Sequence, residues 1–139
     1  MTSSPDSKAV AVADRERMCC AMTVIRVELA REFYFGDDVV LLAMDTPGVD
    51  AFLAPLRQAE QHGSSRLDHD GMTHEFFIEA GAADIELYHD RVVWRFDHAT
   101  AVEIIEMLTA MSQSSGAGHY YVDINTPTHT LVLSRNEYV

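Results

Sequence analysis

The sequence has few of the features that mark several large classes of protein. Its only cysteines are the adjacent pair Cys19 and Cys20, which provide no spaced disulfide framework, so a reducing compartment fits best. No apolar run approaches the roughly 18 residues that a membrane span needs. The N-terminus also has no apolar core of the kind that secretory signals carry. These absences predict a cytoplasmic protein with no membrane attachment.

Lysine is almost absent, and acidic residues far outnumber basic ones. Lys8 is the only lysine, and 22 Asp and Glu against 10 Lys and Arg give a formal net charge of -12. Residues 1–21 are balanced, so the excess lies in the rest of the chain. Such a field repels phosphates, which argues against nucleic acids and anionic lipid surfaces, and it speeds encounter with a basic partner. Solubility alone also explains a negative net charge.

Motifs for catalysis and cofactor binding are missing as well. The sequence has no glycine-rich phosphate loop, no nucleophile elbow and no cysteine-based catalytic pair. His69 and His74 would lie diagonally across a hairpin, with Asp68 and Asp70 nearby. A divalent ion, however, needs three or four converging ligands with an ordered second shell, and no zinc spacing is present. We therefore predict neither a metal nor a cofactor.

Apolar periodicity divides the chain into a flexible N-terminal tail, residues 1–21, and one domain, residues 22–139. The predicted strands span 23–35, 39–44, a short segment around Leu67, 72–79, 85–88, 92–96, 119–124 and 130–134. Helices are predicted from about 45 to 63 and from 98 to 113, with Asp45 or Thr46 capping the first and Asp97 the second. Pro55 should kink or divide the first helix.

The resulting order of elements is ββαββββαββ, without an internal repeat in the sequence. Strands and helices do not alternate, so a doubly wound parallel sheet is not expected. The predicted fold class is α+β, a mainly antiparallel sheet with two helices packed on one face.

Alternation along the central strands predicts a surface that mixes aromatic and acidic side chains. If the large apolar residues of these strands face the core, the residues between them point outward: Glu75, Phe77, Glu79, Glu86, Tyr88, Val93 and Arg95. Apolar anchors ringed by charge are typical of contact surfaces. We predict that Glu75, Phe77, Glu79, Glu86 and Tyr88 bind a partner. The alternative is that Phe77 and Val93 are covered by the tail or by a second subunit.

His119, Asp123 and His129 define an alternative pocket. His119, Tyr121 and Asp123 lie on one face of a predicted strand, where a histidine and a carboxylate can tune a proton transfer. A pocket near them, between the sheet and the second helix, would make the protein a small-ligand-binding domain or a small enzyme. Such a row is more often a solvated face, and no catalytic residue is assigned.

The closing segment reads Gly118-His119-Tyr120-Tyr121-Val122-Asp123 and then Thr130-Leu131-Val132-Leu133-Ser134-Arg135-Asn136-Glu137-Tyr138. It resembles the ends of some small bacterial immunity-type proteins, which pair with toxins. The resemblance implies a cytoplasmic inhibitor that binds a toxin, and it implies no catalytic residues. Nuclease toxins tend to be basic because they bind phosphate, and an acidic inhibitor can occupy that surface.

These observations favour a non-enzymatic acidic protein-binding domain with a basic protein partner, an immunity-type inhibitor if that partner is a toxin. The first alternative is the pocket near His119, Asp123 and His129. The second is a structural homo-oligomer, for example a homodimer in which outward aromatic residues form a symmetric interface.

Overall fold

Two four-stranded sheets and two helices enclose the main core in the computed structural model, which describes residues 23–114 and 116–138. The strands are β1 (Ile25–Tyr34), β2 (Asp37–Met44), β3 (Ser64–His69), β4 (Met72–Ile78), β5 (Ala83–Leu87), β6 (Arg91–Phe96), β7 (Gly118–Asp123) and β8 (Thr130–Arg135). The helices are α1 (Thr46–His62) and α2 (His98–Gln113). The α+β class and the order of elements are confirmed. The predicted tail, with Cys19 and Cys20, lies outside the described residues.

The strands form two mixed sheets where we expected a single sheet, and four of the six strand pairings are antiparallel, as expected. Sheet 1 has the order β1-β2-β8-β7, and sheet 2 has the order β3-β4-β6-β5. In each sheet the outer pairs are antiparallel hairpins, and the central pair, β2 with β8 or β4 with β6, is parallel. These central pairs join hairpins that are distant in the chain. Local sequence patterns report a strand but not its distant partner, so the two sheets were not foreseen.

The topology is repeated although the sequence shows no repeat. Residues 25–78 and residues 83–135 each run hairpin, helix, hairpin, and each sheet combines the first hairpin of one half with the second hairpin of the other. The helix caps also correspond. Asp45 and Asp97 each follow the last residue of a strand, and each accepts a 2.8 Å hydrogen bond from the backbone N–H three residues later.

Burial follows the strand patterns closely. The inner faces of both sheets pack with α1 and α2 into the main core, which includes Phe52, Phe76 and Trp94. Strand β2 is buried on both faces, which suits its continuous apolar run. Val40, Leu42 and Met44 face the main core, and Val39, Leu41 and Ala43 belong to a second cluster with Val132.

Of the two effects predicted for Pro55, a kink or a division of the helix, division does not occur, because α1 continues through this residue. Leu53, Pro55 and Leu56 are all buried, and this packing holds the helical path despite the backbone donor that proline lacks. The hydroxyl of Ser65 also donates to the Pro55 carbonyl, at 2.5 Å, which ties β3 to the middle of α1. Neither helix of the described chain is long and apolar enough to cross a membrane.

Arg135 is a buried cation that holds sheet 1 to the end of α2. Its side chain is 2% exposed, and its guanidinium donates to the carbonyls of Met111, Ser114 and Gly116. These carbonyls lie at or just beyond the last turn of α2, where the helix leaves acceptors unsatisfied and where a positive charge is favourable.

We predict that Arg135→Met lowers the free energy of unfolding by about 3 kcal/mol, because buried carbonyls lose charged hydrogen bonds. Urea denaturation followed by tryptophan fluorescence measures the change. Arg31→Met is the matched control, since the Arg31 side chain is 75% exposed in its pair with Asp38 and such pairs contribute at most about 1 kcal/mol. An equal effect of both substitutions would contradict the capping role.

Candidate functional site

The outer face of sheet 2 gathers the residues that alternation predicted to point outward. Phe76, Trp94 and Phe96 are buried in the core, whereas Phe77 and Arg95 lie on the opposite face of the same strands. Strands β4 and β6 are neighbours, with Phe77 paired to Arg95 in register, and β5 lies beyond β6 with Glu86 paired to Val93. The five predicted partner-binding residues therefore share one surface, which we call the sheet 2 face.

Two arginines connect that surface into a network. Arg95 contacts Glu79 at 2.6 Å through Nη1 and Glu86 at 2.7 Å through Nε, and its guanidinium lies 5.1 Å from the centre of the Phe77 ring. Arg91 lies 4.5 Å from the centre of the Tyr88 ring and 3.9 Å from Glu75. The Tyr88 hydroxyl donates to Glu86 at 2.7 Å and so links the two groups.

The network lowers the pKa of one of its carboxyl groups. The hydrogen bond from Arg95 holds the pKa of the Glu86 carboxyl below its ordinary value, and the Tyr88 hydroxyl adds to this effect. Glu86 therefore stays ionised, but part of its charge is already neutralised within the chain. Sequence alternation pointed to the carboxylates and to Arg95, and it missed the stacking of Arg91 on Tyr88.

Val93 faces outward but is only 2% exposed. It is paired with Glu75 on one side and Glu86 on the other, and the ion pairs of these two residues with Arg91 and Arg95 flank it. Glu75 and Glu86 thus lie on either side of Val93, and Phe77 is half-buried beneath Arg95. The aromatic residue left most open on this face is Tyr88, at 47% exposed.

The alternative residues His119, Asp123 and His129 do not line one cavity. His119 contacts Glu137 at 3.1 Å, near the start of β7, whereas Asp123 ends that strand. His129 lines a cavity of about 380 Å³ between the β1–β2 turn and the β7–β8 loop, and neither His119 nor Asp123 is among its lining residues. Neither cavity described for this structure lies between a sheet and α2, where the alternative pocket was expected.

Sheet 1 exposes aromatic residues that the sequence analysis did not single out. Phe35, in the β1–β2 turn, is 92% exposed, and its ring contacts that of Tyr34. Tyr34 in turn contacts Tyr121 on β7, with ring centres 4.7 Å apart. The run Phe33-Tyr34-Phe35 before Gly36 was the available signal, because aromatic side chains beside a turn glycine have little room to be buried.

A second feature that the sequence analysis missed is a cavity of about 320 Å³ between β1 and the β3–β4 hairpin, which we call the β1 cavity. Residues 25–28 of β1 line one side, and residues of the hairpin line the other: His69, Asp70, Met72 and His74. His69 and His74 are diagonal across the hairpin, as expected. Asp68 lies on the opposite face, where it accepts hydrogen bonds from Thr73 and Arg66.

His74 is the most unusual group at this cavity. It is 1% exposed, and its Nδ1 accepts a hydrogen bond from the Trp94 indole N–H at 3.2 Å. Burial lowers the pKa of His74 to about 4, so the ring is neutral at ordinary pH. An indole nitrogen can only donate, so the single ring proton of neutral His74 is on Nε2. Nε2 has no hydrogen-bond partner among the described residues.

The described residues contain no group of three or more His, Cys, Asp or Glu side chains arranged to hold a metal ion. Protein-family models, curated proteins and solved structures were each compared with this chain, and none matches it.

We predict that neutral His74 makes the fold sensitive to acid. Its pKa is about 4 in the folded protein against 6.5 for the free side chain, so the unfolded chain binds more protons between these values. The contribution to stability is complete above pH 6.5 and is lost as the pH falls to 4, by up to about 3 kcal/mol. Urea denaturation over this pH range measures the loss.

The matched control is His74→Leu, which lacks the titrating group and should lose less stability over the same range. Asp68, Glu86 and Asp97, whose pKa values are lowered by hydrogen bonds, contribute equally in both proteins. A nuclear magnetic resonance titration that gave His74 a midpoint near 6.5 would contradict the prediction.

Proposed function

We propose that this chain is a non-enzymatic, cytoplasmic protein-binding domain that contacts a basic protein through the sheet 2 face. The observation that carries the proposal is the connected network on this face. There, Arg91 and Arg95 join acidic and aromatic side chains into one surface: Glu75, Phe77, Glu79, Glu86 and Tyr88.

The side chains of the sheet 2 face are already held in place before a partner binds, and this supports the proposal. Arg95 is held by two carboxylates and covers Phe77, and Tyr88 is held by Arg91 and Glu86. Immobilising a flexible side chain during association costs about 0.5–1.5 kcal/mol, so side chains that are already fixed reduce the cost of binding. Tyrosine and arginine are also residue types that contribute strongly at protein interfaces.

The contacts that the arginines make within the chain indicate the charge of the partner. All seven arginines of the described chain contact groups within the same chain: Arg26, Arg31, Arg57, Arg66, Arg91, Arg95 and Arg135. Exposed carboxylates such as Asp50, Glu103 and Glu106 have no basic partner within 4.0 Å among the described residues. The surface field is therefore negative, and it favours a basic protein over a phosphate-bearing partner.

A basic toxin is a partner with this chemistry, and the resemblance of the closing segment to bacterial immunity-type proteins supports that choice. An inhibitor of this type acts by covering the surface with which a nuclease toxin contacts phosphate, so it needs no catalytic group. The pocket alternative has less support, because His119, Asp123 and His129 do not line one cavity.

We predict that a triple charge reversal, Glu75→Lys, Glu79→Lys and Glu86→Lys, weakens binding of the basic partner at least about tenfold, because like charges would face each other across the interface. Quantitative cross-linking in the source cell, with mass spectrometry of the linked sites, measures capture and maps it on the surface. The exposed ion pairs removed by the change contribute little to stability, so the variant should fold.

The matched control is Asp50→Lys, Glu103→Lys and Glu106→Lys, which changes the net charge equally but on the exposed sides of α1 and α2. Loss of capture by the first variant alone supports the proposal. Equal loss by both variants assigns the effect to overall charge, and undiminished capture by the first variant removes the sheet 2 face from binding. Either of these last two results contradicts the proposed site.

A further inference from the structure

The β1 cavity contains a buried donor that the fold does not use. His74 presents a protonated Nε2 with no partner among the described residues, although its other ring nitrogen is held by Trp94. A buried polar atom without a partner is costly, and such atoms are uncommon in folded proteins. His74 lines a cavity of about 320 Å³, and this suggests that a ligand supplies the missing acceptor.

The repeated topology provides an internal comparison for this site. In the first half of the chain Ile25 pairs with Met44, which directly precedes the cap of α1. In the second half Ala83 pairs with Phe96, which directly precedes the cap of α2. Ile25 therefore corresponds to Ala83, and two residues further Val27 corresponds to Ile85. The edge strand β1 of sheet 1 is equivalent to the edge strand β5 of sheet 2.

The same comparison identifies the counterpart of His74. His74 pairs with Val92 on the parallel strand β6, and Leu131 pairs with Val40 on the parallel strand β2. Val92 and Val40 each lie four residues before the end of their strands, so His74 and Leu131 occupy equivalent positions. Both are fully buried, but one half carries an apolar leucine where the other carries a histidine with a free donor.

The two equivalent edges differ in what covers them. On β5, the loop after β7 runs alongside the strand: Asn125 N donates to Ala83 O at 2.7 Å, and Ile85 N donates to Thr126 O at 2.9 Å. On β1, the corresponding backbone groups are Ile25 O and Val27 N. Within the described part of the chain, these groups make no such bonds to the β3–β4 hairpin, and the β1 cavity lies there instead.

The direction of these groups follows from the pairing of β1. Asp45 N donates to Val24 O, so the backbone groups of Val24 and then of Arg26 point toward β2. In an antiparallel pair the groups of the intervening residues point to the other side. Those of Ile25 and Val27 are therefore directed toward the β1 cavity, as the groups of Ala83 and Ile85 are directed toward Asn125 and Thr126.

We propose that the β1 cavity binds an extended segment of a partner protein, which pairs with the edge of β1 and offers a neutral hydrogen-bond acceptor to His74 Nε2. The segment repeats on β1 the two backbone bonds that Asn125 and Thr126 make on β5, a mode of binding known as strand addition. Its side chain enters the cavity between the apolar groups of Ile25, Val27 and Met72. Met72 is flexible and shifts to admit the acceptor.

A neutral acceptor fits this cavity best. Glu28 and Asp70 line the cavity together with Arg26, and a ligand carboxylate would have to lose its hydration to enter it. A carbonyl or hydroxyl oxygen, as in Asn, Gln, Ser or Thr, satisfies Nε2 at a smaller desolvation cost. The cavity lies on the inner side of β4, away from Glu75 and Phe77, so this site is independent of the sheet 2 face.

Three capped tripeptides test the proposal on the full chain: acetyl-Ile-Asn-Val-N-methylamide, the same peptide with Leu in place of Asn, and the same peptide with Asp. Trp94 is the only tryptophan, so its indole N–H gives one resonance, and it reports on His74 through their hydrogen bond. We expect the Asn peptide to shift the Trp94 indole and Val27 amide resonances. We also expect it to bind at least about tenfold more tightly than the Leu and Asp peptides, because the Leu peptide leaves the buried donor unpaired and the Asp peptide must lose the hydration of its carboxylate.

Two variants test the hydrogen bond to His74 and the backbone pairing with β1 separately. His74→Leu copies the residue at the equivalent position in the other half, and it should abolish the preference for Asn over Leu. Val27→Pro removes the outward N–H of an edge strand, where proline is tolerated, and it should weaken all three peptides about equally. Any one of three results would overturn the proposal. The wild type could bind the Asn and Leu peptides equally, His74→Leu could keep the preference for Asn over Leu, or the resonance shifts could be confined to the sheet 2 face.

Discussion

Pairing between distant hairpins is the constraint on which the rest of this structure depends. Strand β2 meets β8, and β4 meets β6, and each parallel pair lies at the centre of a sheet. The strands that meet carry residues that are almost fully buried, such as Val40 and Leu131 in sheet 1 and Phe76 and Trp94 in sheet 2. Neither half of the chain can form a four-stranded sheet alone, because each supplies only two strands of each sheet. The hydrophobic core and the two sheets are therefore formed together.

This arrangement also decides which surfaces remain for recognition. The inner faces of both sheets are used by the core, so the outer faces and the sheet edges carry the exposed chemistry. The two halves differ at these edges, where the loop after β7 covers β5 and a cavity adjoins β1. They differ also in the residues at equivalent buried positions, such as His74 in one half and Leu131 in the other.

Local patterns in the sequence predicted most of the elements. The structure contains the hairpin that places His69 and His74 diagonally and the helix caps Asp45 and Asp97. It also shows the alternation that directs Phe77 and Arg95 outward. Each depends on residues that are close in the chain. The parallel pairs, the β1 cavity and the contact of Arg135 with α2 depend on residues far apart in sequence, and one sequence holds no signal for such pairings. The sequence showed His74 as a hairpin neighbour of His69, but its ring packs against Trp94 and Phe52, which are distant in the chain.

The place of β8 in sheet 1 has a consequence for how the protein is made. Of the described strands, β8 is the last to be synthesised, yet it occupies the middle of its sheet, between β2 and β7. Until it is added, the buried residues Leu41 and Leu42 belong to an open strand edge that is prone to pairing with other chains. The nascent chain is therefore exposed to aggregation at that edge until β8 has emerged from the ribosome.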